Sequence, residues 1–424
     1  MADSGNGQIY YGWKIVAAIV VLLTFSSGLS FYNHAIYLNA LASQPAFNVQ
    51  TTSLAVSVFF LTGGIAGLGV AKWVQDYDPR ICICSGAVVS FLALSSLAYV
   101  ETILQLYIAY AFFGIGFSAS SLIPATTLVA RWFRKKRAMA LSIASTGLSL
   151  GGVILTPLCV LLVDSLGFAT AAPIMGVMYL IGIIPIAWIW LRASPESMGL
   201  AIDGEQAIEL GFDKTTRSVS TDNEGILFRE ARQKRFFWGI SLAYIFLMMA
   251  QVGGIAHQYG LARELLTDAQ TAIAVAILPV ASIVGRLLGG WLVGQMSIRR
   301  FAIMMMILQT VSLGVLSGGY SVFSLCLGLA LFGASVGNLL MLQPLLIAEA
   351  FGIRDYAKIF SVANLMSSWG TAAGPAVLGF AYGVNSNLYS LSYIIAAAAG
   401  AIGLILFLAA GKLRVPVTVA GKSN

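Results

Sequence analysis

Ionisable side chains within long apolar stretches are the residues of this 424-residue chain that could carry out chemistry. Arg286 is the one basic residue well inside such a stretch, and no acidic residue occupies the centre of any stretch. A charge in apolar surroundings is costly unless it faces a cavity or a partner. The planar guanidinium suits a bidentate carboxylate, so we expect Arg286 to bind an anionic group. The alternative is a scaffold arginine that donates hydrogen bonds to backbone carbonyls.

The only two histidines, His34 and His257, lie near corresponding ends of two apolar stretches. Imidazole titrates near neutral pH and can also hydrogen bond an anion. Because no acid lies at the centre of a stretch, histidine is the buried side chain best suited to carry a proton. We therefore expect either histidine to serve in substrate binding and proton coupling. The alternative is a pair of histidines that pack and hydrogen bond between helices.

Neutral polar side chains in the same stretches complete the candidate binding residues. Amides can line a pathway, or they can hold helices together by interhelical hydrogen bonds. Tyrosine hydroxyls can bind a carboxylate, although tyrosines are also common at membrane interfaces. The candidates of this kind are Tyr32, Asn33, Gln251, Tyr259, Asn338, Gln343 and Asn364.

The sequence lacks the residues that several classes of activity require. The chain has no Gly-x-x-x-x-Gly-Lys-Ser/Thr loop for a nucleotide phosphate, and no nucleophile–histidine–acid set is apparent. Cys82 and Cys84 are two residues apart, which is not the spacing of a metal or redox pair. We therefore predict that the protein is not an enzyme and holds no cofactor and no metal.

The composition places the chain in a lipid bilayer. It is 58% hydrophobic and 10% charged, with a mean hydropathy of +0.87, whereas soluble domains carry about 25% charged residues. A helix needs about 20 apolar residues to cross a bilayer. We predict an all-α membrane protein with twelve transmembrane helices. The predicted spans are 13–37, 53–74, 81–99, 103–128, 138–163, 171–191, 237–260, 271–293, 301–320, 322–347, 358–382 and 389–411.

The net charge of +7 is better explained by membrane topology than by nucleic acid. If both termini are cytoplasmic, 22 of the 24 Lys and Arg residues fall on the cytoplasmic side, including the cluster at 131–137. Arg263 falls outside and Arg286 within a span. This asymmetry follows the positive-inside rule, so we predict cytoplasmic termini, no nucleic-acid partner, and the cell membrane, or the inner membrane of a bacterium, as the location.

The two halves of the chain also resemble each other. A histidine followed four residues later by leucine opens the related segments 34–38 and 257–261, and a Ser-to-Gly interval of nine residues recurs later in both halves. Such internal repetition is typical of membrane folds built from repeats. We predict two pseudo-symmetric six-helix bundles at 1–191 and 237–424, joined by a polar cytoplasmic linker at 192–236 that is partly helical near 226–235.

Three segments resemble the major facilitator superfamily, and within it the monocarboxylate porter branch that includes oxalate/formate exchangers. They are 124–140 (PATTLVARWFRKKRAMA), 194–200 (SPESMGL) and 285–291 (GRLLGGW). The resemblance implies the major facilitator fold. It also favours His34 over His257 as the proton carrier, because animal members of the branch place a basic residue near the end of span one.

The resemblance further implies a secondary active transporter of small organic anions, above all monocarboxylates. It would work as a monomer by alternating access, with proton symport or exchange against a counter-anion. The alternatives are efflux of amphipathic compounds or lipids, and a non-transporting membrane sensor.

Overall fold

The computed structural model describes residues 10–133, 136–204, 225–293, 295–318, 321–352, 354–386 and 388–411. These residues form a helical protein, as predicted. The α-helices, in chain order, are α1 Tyr11–Ser27, α2 His34–Ala42, α3 Val49–Asp76, α4 Pro79–Ser96, α5 Ile103–Ser120, α6 Leu122–Trp132, α7 Arg137–Leu166, α8 Phe168–Trp190, α9 Phe228–Ala231, α10 Arg235–Arg263, α11 Asp268–Val293, α12 Ile298–Ser317, α13 Val322–Phe351, α14 Tyr356–Val384 and α15 Ser390–Ala409.

Eleven helical stretches among the described residues are long and apolar enough to cross a membrane. Two of them join shorter helices: α1 with α2, and α5 with α6. These eleven stretches and α14 coincide with the twelve predicted spans. Helix α14 has 29 residues but falls short of the same hydropathy because its middle is more polar. The polar residues there are Ser361, Asn364, Ser367, Ser368 and Thr371.

The helices divide into two compact units. Unit 1 comprises the described residues within Met1–Asn48 and Val58–Glu209, and unit 2 those within Val49–Ser57 and Leu210–Asn424. The first part of α3 therefore packs with unit 2 and the remainder with unit 1. The predicted bundle boundaries at 191 and 237 remain a prediction, since the division into units assigns the linker residues up to Glu209 to unit 1 and those from Leu210 to unit 2.

Glycines bring α7 close to α1 in unit 1. A Cβ added at Gly147 would overlap the carbonyl oxygen of Val20, and one added at Gly151 would overlap that of Thr24. Small residues four apart on one face allow two helix backbones to approach closely. Glycine at positions 147 and 151 therefore allows the backbones of α1 and α7 to approach closely.

Unit 2 repeats this contact between α10 and α14. A Cβ added at Gly370 would overlap the carbonyl oxygen of Ile245, and one added at Gly374 would lie 2.5 Å from that of Met249. A pair of glycines four residues apart therefore brings two helices close together in each unit.

One helix departs from the repeat. Between α1 and α2 the backbone forms a π-helical segment, Gly28–Tyr32, followed by a turn at Asn33. Helix α10 is continuous from Arg235 to Arg263. A π-helical turn accommodates extra residues within a helix and is frequent at functional sites. The segment changes the direction in which the side chains after it point.

The end of the linker is attached to unit 2. Gly225 and Gly352 form an isolated antiparallel bridge, and the N–H of Ile226 donates to the carbonyl oxygen of Phe351 at 3.0 Å. The φ angles of the two glycines are 140° and 73°, which disfavour other residues. The short helix α9 follows, within the 226–235 region predicted to be partly helical.

Candidate functional site

Arg286 lies on α11, half-buried, with its side chain against α13. Its Nε donates to the carbonyl oxygen of Gly337 at 3.0 Å. A Cβ added at Gly337 would lie 2.9 Å from Cγ of Arg286, so the glycine makes room for the arginine stem. The scaffold bond considered from the sequence is therefore present. It fixes one edge of a guanidinium that stays charged at any physiological pH.

Two of the predicted binding amides hold helices together in unit 2. Nδ2 of Asn338 donates to the carbonyl oxygen of Gly285 on α11 at 2.9 Å. Nε2 of Gln343 donates to Oγ of Ser367 on α14 at 2.7 Å. These bonds make α13 a bridge between α11 and α14, which is the interhelical role that amides commonly play in membranes.

The remaining polar candidates lie in different surroundings. Gln251 is buried on α10, and its Oε1 has no hydrogen-bond partner within the described ranges. Tyr259 is buried on the same helix, with Cζ of Arg263 5.9 Å from its ring centroid. Tyr32 is buried in the π-helical segment, whereas Asn364 is exposed on α14.

His34 is buried among aromatic rings of unit 1. Its ring centroid is 4.2 Å from that of Phe59 on α3, and 5.8 Å from those of both Tyr110 and Phe113 on α5. Neither ring nitrogen has a hydrogen-bond partner in the described part of the chain. A buried polar group without a partner is costly, so these nitrogens are available to a ligand or to water.

Asn33 lies directly before His34 and is completely buried. Neither atom of its amide has a hydrogen-bond partner among the residues that the structure describes. The ring centroid of Tyr37 is also 6.3 Å from that of His34. Together Asn33 and His34 present an amide and an imidazole to the interior of unit 1.

His257 has a different environment from His34. Its Nε2 lies 3.0 Å from the carbonyl oxygen of Pro375 on α14 and 3.5 Å from Oγ of Ser53 at the start of α3. Its Nδ1 has no hydrogen-bond partner among the described residues. The two histidines thus share a place in the sequence repeat but not a place in the structure. His34 faces α3 and α5, and His257 faces α14.

Glu264 and Tyr389 form a pair that the sequence analysis missed. Oε1 of Glu264 accepts a hydrogen bond from the N–H of Tyr389 at 2.9 Å, and Tyr389 is the N-cap residue of α15. Burial raises the pKa of the Glu264 carboxyl above its usual value, while the Tyr389 N–H lowers it. Glu264 follows His257 by seven residues, about two helical turns on one face, so spacing could have identified it.

The described residues contain no group of three or more His, Cys, Asp or Glu side chains that could hold a metal ion. The polar groups near the buried histidines are instead amides, hydroxyls and one carboxyl.

Comparisons with known proteins agree on one family. The family described as Major Facilitator Superfamily matches residues 20–262. An MFS-type transporter of Gibberella moniliformis is 24% identical over 341 residues, which cover 78% of this chain and 75% of that protein. The Aspyridones efflux protein apdF of Emericella nidulans is 34% identical over 140 residues, which cover 32% of this chain and 28% of that protein.

A solved structure shares the fold. The inward-facing, unoccupied form of a bacterial homologue of the human lysosomal transporter Spinster superposes with a TM-score of 0.71 at 16% identity, covering 95% of this chain and 96% of that chain. At this level of identity the likeness concerns the fold alone.

Proposed function

The chain belongs to the Major Facilitator Superfamily, and from that premise we propose that it is a secondary active transporter of small organic anions, above all monocarboxylates. It is a multi-pass membrane transporter rather than an enzyme. Alternating access with proton symport or anion exchange is the mechanism that we propose for it.

One observation carries the choice of an anion. Arg286 places a permanent positive charge within a membrane-spanning helix, and its Nε is held by a backbone carbonyl at 3.0 Å. A charge at this depth is retained when it serves binding or structure. Since Nε is fixed, the plane of the guanidinium is oriented before a substrate arrives. An oriented guanidinium binds a planar carboxylate with less loss of side-chain entropy.

The histidines supply the second part of the proposal. We propose that His257 carries the coupled proton, because its Nε2 is held by Pro375 and its Nδ1 is buried without a partner among the residues that the structure describes. His34, preferred from the sequence, is better suited to substrate recognition beside Asn33. Its ring lies among aromatic side chains that can pack against an organic molecule.

The membrane arrangement follows from charge. We propose cytoplasmic termini on the positive-inside rule, a location in the cell membrane, or the inner membrane of a bacterium, and action as a monomer. Under this topology the C-terminal end of α10 and the N-terminal end of α15 lie outside. The substrate and either a proton or a counter-anion are then the only partners required besides lipid.

Reconstitution tests the proposal directly. Purified protein in proteoliposomes is offered a panel of radiolabelled small carboxylates, with and without an imposed pH gradient and with and without internal unlabelled substrate. We expect saturable uptake of at least one carboxylate. Stimulation by the gradient indicates symport, and stimulation by internal substrate indicates exchange. Failure to move any member of the panel, in vesicles that contain correctly folded protein, rejects the anion proposal.

Efflux of amphipathic compounds is the second candidate. The matched protein of Emericella nidulans is named an efflux protein, and aromatic rings surround His34 in unit 1. An apolar, ring-lined site would accept larger molecules than a short carboxylate. A competition assay distinguishes the two candidates. If the site is large and apolar, amphipathic aromatic acids should inhibit uptake of a small carboxylate more strongly than short acids do. If the site fits only a short carboxylate, the short acids should be the stronger inhibitors.

A further inference from the structure

We propose that Glu264, Tyr389 and His257 form a proton route along one face of α10, from the C-terminal end of the helix to its interior. The route would connect the solvent outside the membrane with the coupling histidine. This inference rests on the proposed function, because a proton route matters only in a proton-driven transporter. It adds two residues, Glu264 and Tyr389, to which no role was assigned from the sequence.

The face of α10 is defined by spacing and by one glycine. Residues 257, 260 and 264 follow one another at intervals of three and four, so their side chains lie on the same face. Gly260 lies between the two titratable residues. A Cβ added there would lie 2.6 Å from Cζ of Tyr389. The phenol of Tyr389 therefore occupies the space over Gly260, between His257 and Glu264.

The inner end of the route is the unpaired nitrogen of His257. A carbonyl oxygen can only accept a hydrogen bond, so Nε2 must carry the hydrogen that is donated to Pro375. Nδ1 then holds a lone pair, and it is buried with no partner in the described ranges. The ring centroids of His257 and Tyr389 are 5.5 Å apart. A proton that arrives from Tyr389 would bind at Nδ1.

The outer end is Glu264, which follows the last residue of α10. Glu264 is exposed to solvent, and its carboxyl accepts the N–H of Tyr389 at 2.9 Å. Partial burial raises the pKa of this carboxyl, so it takes up a proton at a higher pH than a fully exposed glutamate. This property suits a group that collects protons from an acidic exterior.

The charged and titratable groups around Glu264 leave its carboxyl available to take up a proton. Arg263, its neighbour in sequence, pairs with Asp268 at 2.7 Å and lies over the ring of Tyr259. The positive charge of Arg263 is therefore paired with the carboxylate of Asp268. The titratable groups that interact with Glu264 from the packed helices α14 and α15 are the phenols Tyr382, Tyr389 and Tyr393.

The proposed transfer moves one proton from water to His257. A proton from water binds the Glu264 carboxylate. The carboxyl then gives its proton to the oxygen of Tyr389 as the phenol O–H proton moves to Nδ1 of His257. The O–H bonds of Glu264 and Tyr389 break, a new O–H bond forms on Tyr389, and an N–H bond forms at Nδ1, which leaves a carboxylate and an imidazolium. No charge remains on Tyr389. A single bridging water can complete either step, because water transmits protons between groups that do not touch.

The test compares three variants in proteoliposomes with trapped pyranine, a pH-sensitive dye, and the labelled carboxylate that the wild type accumulates. Glu264→Gln keeps an oxygen for the Tyr389 N–H but cannot titrate. Tyr389→Phe keeps the ring over Gly260. Glu101→Gln is the matched control, since it removes an exposed carboxylate from the loop before α5, which lies outside under the proposed topology. We expect Glu264→Gln and Tyr389→Phe to lose gradient-driven uptake and proton influx at least about tenfold, while exchange persists. The control should behave as wild type.

A second measurement does not depend on transport. In an infrared titration the carboxylic acid band should appear at a higher pH in wild type, Tyr389→Phe and Glu101→Gln than in Glu264→Gln, because the raised pKa of Glu264 makes its carboxyl protonate early as the pH falls. Wild-type uptake and proton influx in Glu264→Gln would overturn the route, and unchanged values in Tyr389→Phe would remove Tyr389 from it. A wild type that exchanges carboxylates but ignores the gradient rejects the route and leaves the anion proposal intact. A wild type that moves no carboxylate rejects the proposed function itself, while the infrared result still reports on Glu264.

Discussion

Nε2 of His257 on α10 lies 3.0 Å from the carbonyl oxygen of Pro375 on α14. Because the carbonyl accepts, the neutral imidazole is held as the Nε2–H tautomer and its Nδ1 faces inward as a base. This fixed tautomer distinguishes His257 from His34, whose two nitrogens both lack a hydrogen-bond partner in the described residues.

Replacing each histidine by glutamine should separate their roles. In His257→Gln the amide NH2 can still donate to Pro375, but the side chain no longer titrates. We expect exchange of internal for external substrate to persist and gradient-driven accumulation to fall at least about tenfold. The measurement is radiolabel uptake under the two conditions in proteoliposomes.

His34→Gln should lower exchange and accumulation together, because we assign His34 to substrate recognition. If His34→Gln instead lost accumulation alone, the coupling proton would belong to His34, as the sequence resemblance suggested. If both variants behaved as wild type, both histidines would be packing residues.

Arg286→Lys should impair transport severely, by about tenfold or more in kcat/KM, while the protein still folds. Lysine keeps the positive charge but loses the bidentate fork, and it cannot both donate to Gly337 and pair with a carboxylate in a fixed plane. The measurement is uptake together with melting curves in detergent, with and without substrate. Equal stabilisation by substrate in the variant and the wild type would exclude Arg286 from binding, and loss of folded protein would identify it as a scaffold residue.

Gly151→Ala should destabilise unit 1 by about 1–3 kcal/mol, since the added methyl group overlaps the carbonyl oxygen of Thr24 and forces α7 away from α1. Gly314→Ala on α12 is the matched control, because a Cβ there meets nothing within 4 Å. Alanine also favours a helix over glycine by roughly 0.5–1 kcal/mol. We therefore expect the melting temperature to fall for Gly151→Ala and to stay level or rise for Gly314→Ala. The reverse order would contradict the close contact of the two helices.

Asp78 should give the fold an acid-sensitive contact at the start of α4. The Arg80 side chain beside Asp78 holds the pKa of this carboxyl below its usual value, with Nη2 of Arg80 2.7 Å from Oδ2. A lowered pKa means that the stabilisation is complete above the ordinary carboxylate pKa and is lost as the pH falls through the lowered one. We expect Asp78→Ala to cost about 1 kcal/mol near neutral pH through loss of the N-cap, and less in acid.

Asp78→Asn provides the control for that prediction, because asparagine keeps the N-cap bond to the Arg80 N–H but not the charge. Its melting temperature near neutral pH should lie between those of the wild type and Asp78→Ala. A difference between wild type and Asp78→Ala that grows on acidification would contradict the assigned sign.

The sequence predicted the spans well because apolar length alone specifies a membrane helix. The 13–37 span corresponds to α1 with the π-helical segment and the start of α2, and the 358–382 span corresponds to α14. The site was harder to predict. Asn338 and Gln343 look alike as buried amides, and only the distances to Gly285 and Ser367 identify them as links between helices.

Arg286 illustrates the same limit. The sequence marked it as a charge in an apolar span, which remains its defining property. The bond from its Nε to Gly337 depends on how α11 packs against α13, and no spacing within one helix reveals that packing. Glu264, by contrast, could have been found, because the interval from His257 is already present in the sequence.

The π-helical segment in the first span has a consequence for the alignment of the two halves. His34 follows Gly28 by six residues, whereas His257 follows Gly253 by four. An alignment of the two halves that pairs both the glycines and the histidines must therefore open a gap of two residues inside a transmembrane helix. Without that gap, residues beyond it are compared with the wrong counterparts. The two extra residues shift the side chains beyond them, including His34, without disturbing the glycine contacts that precede them.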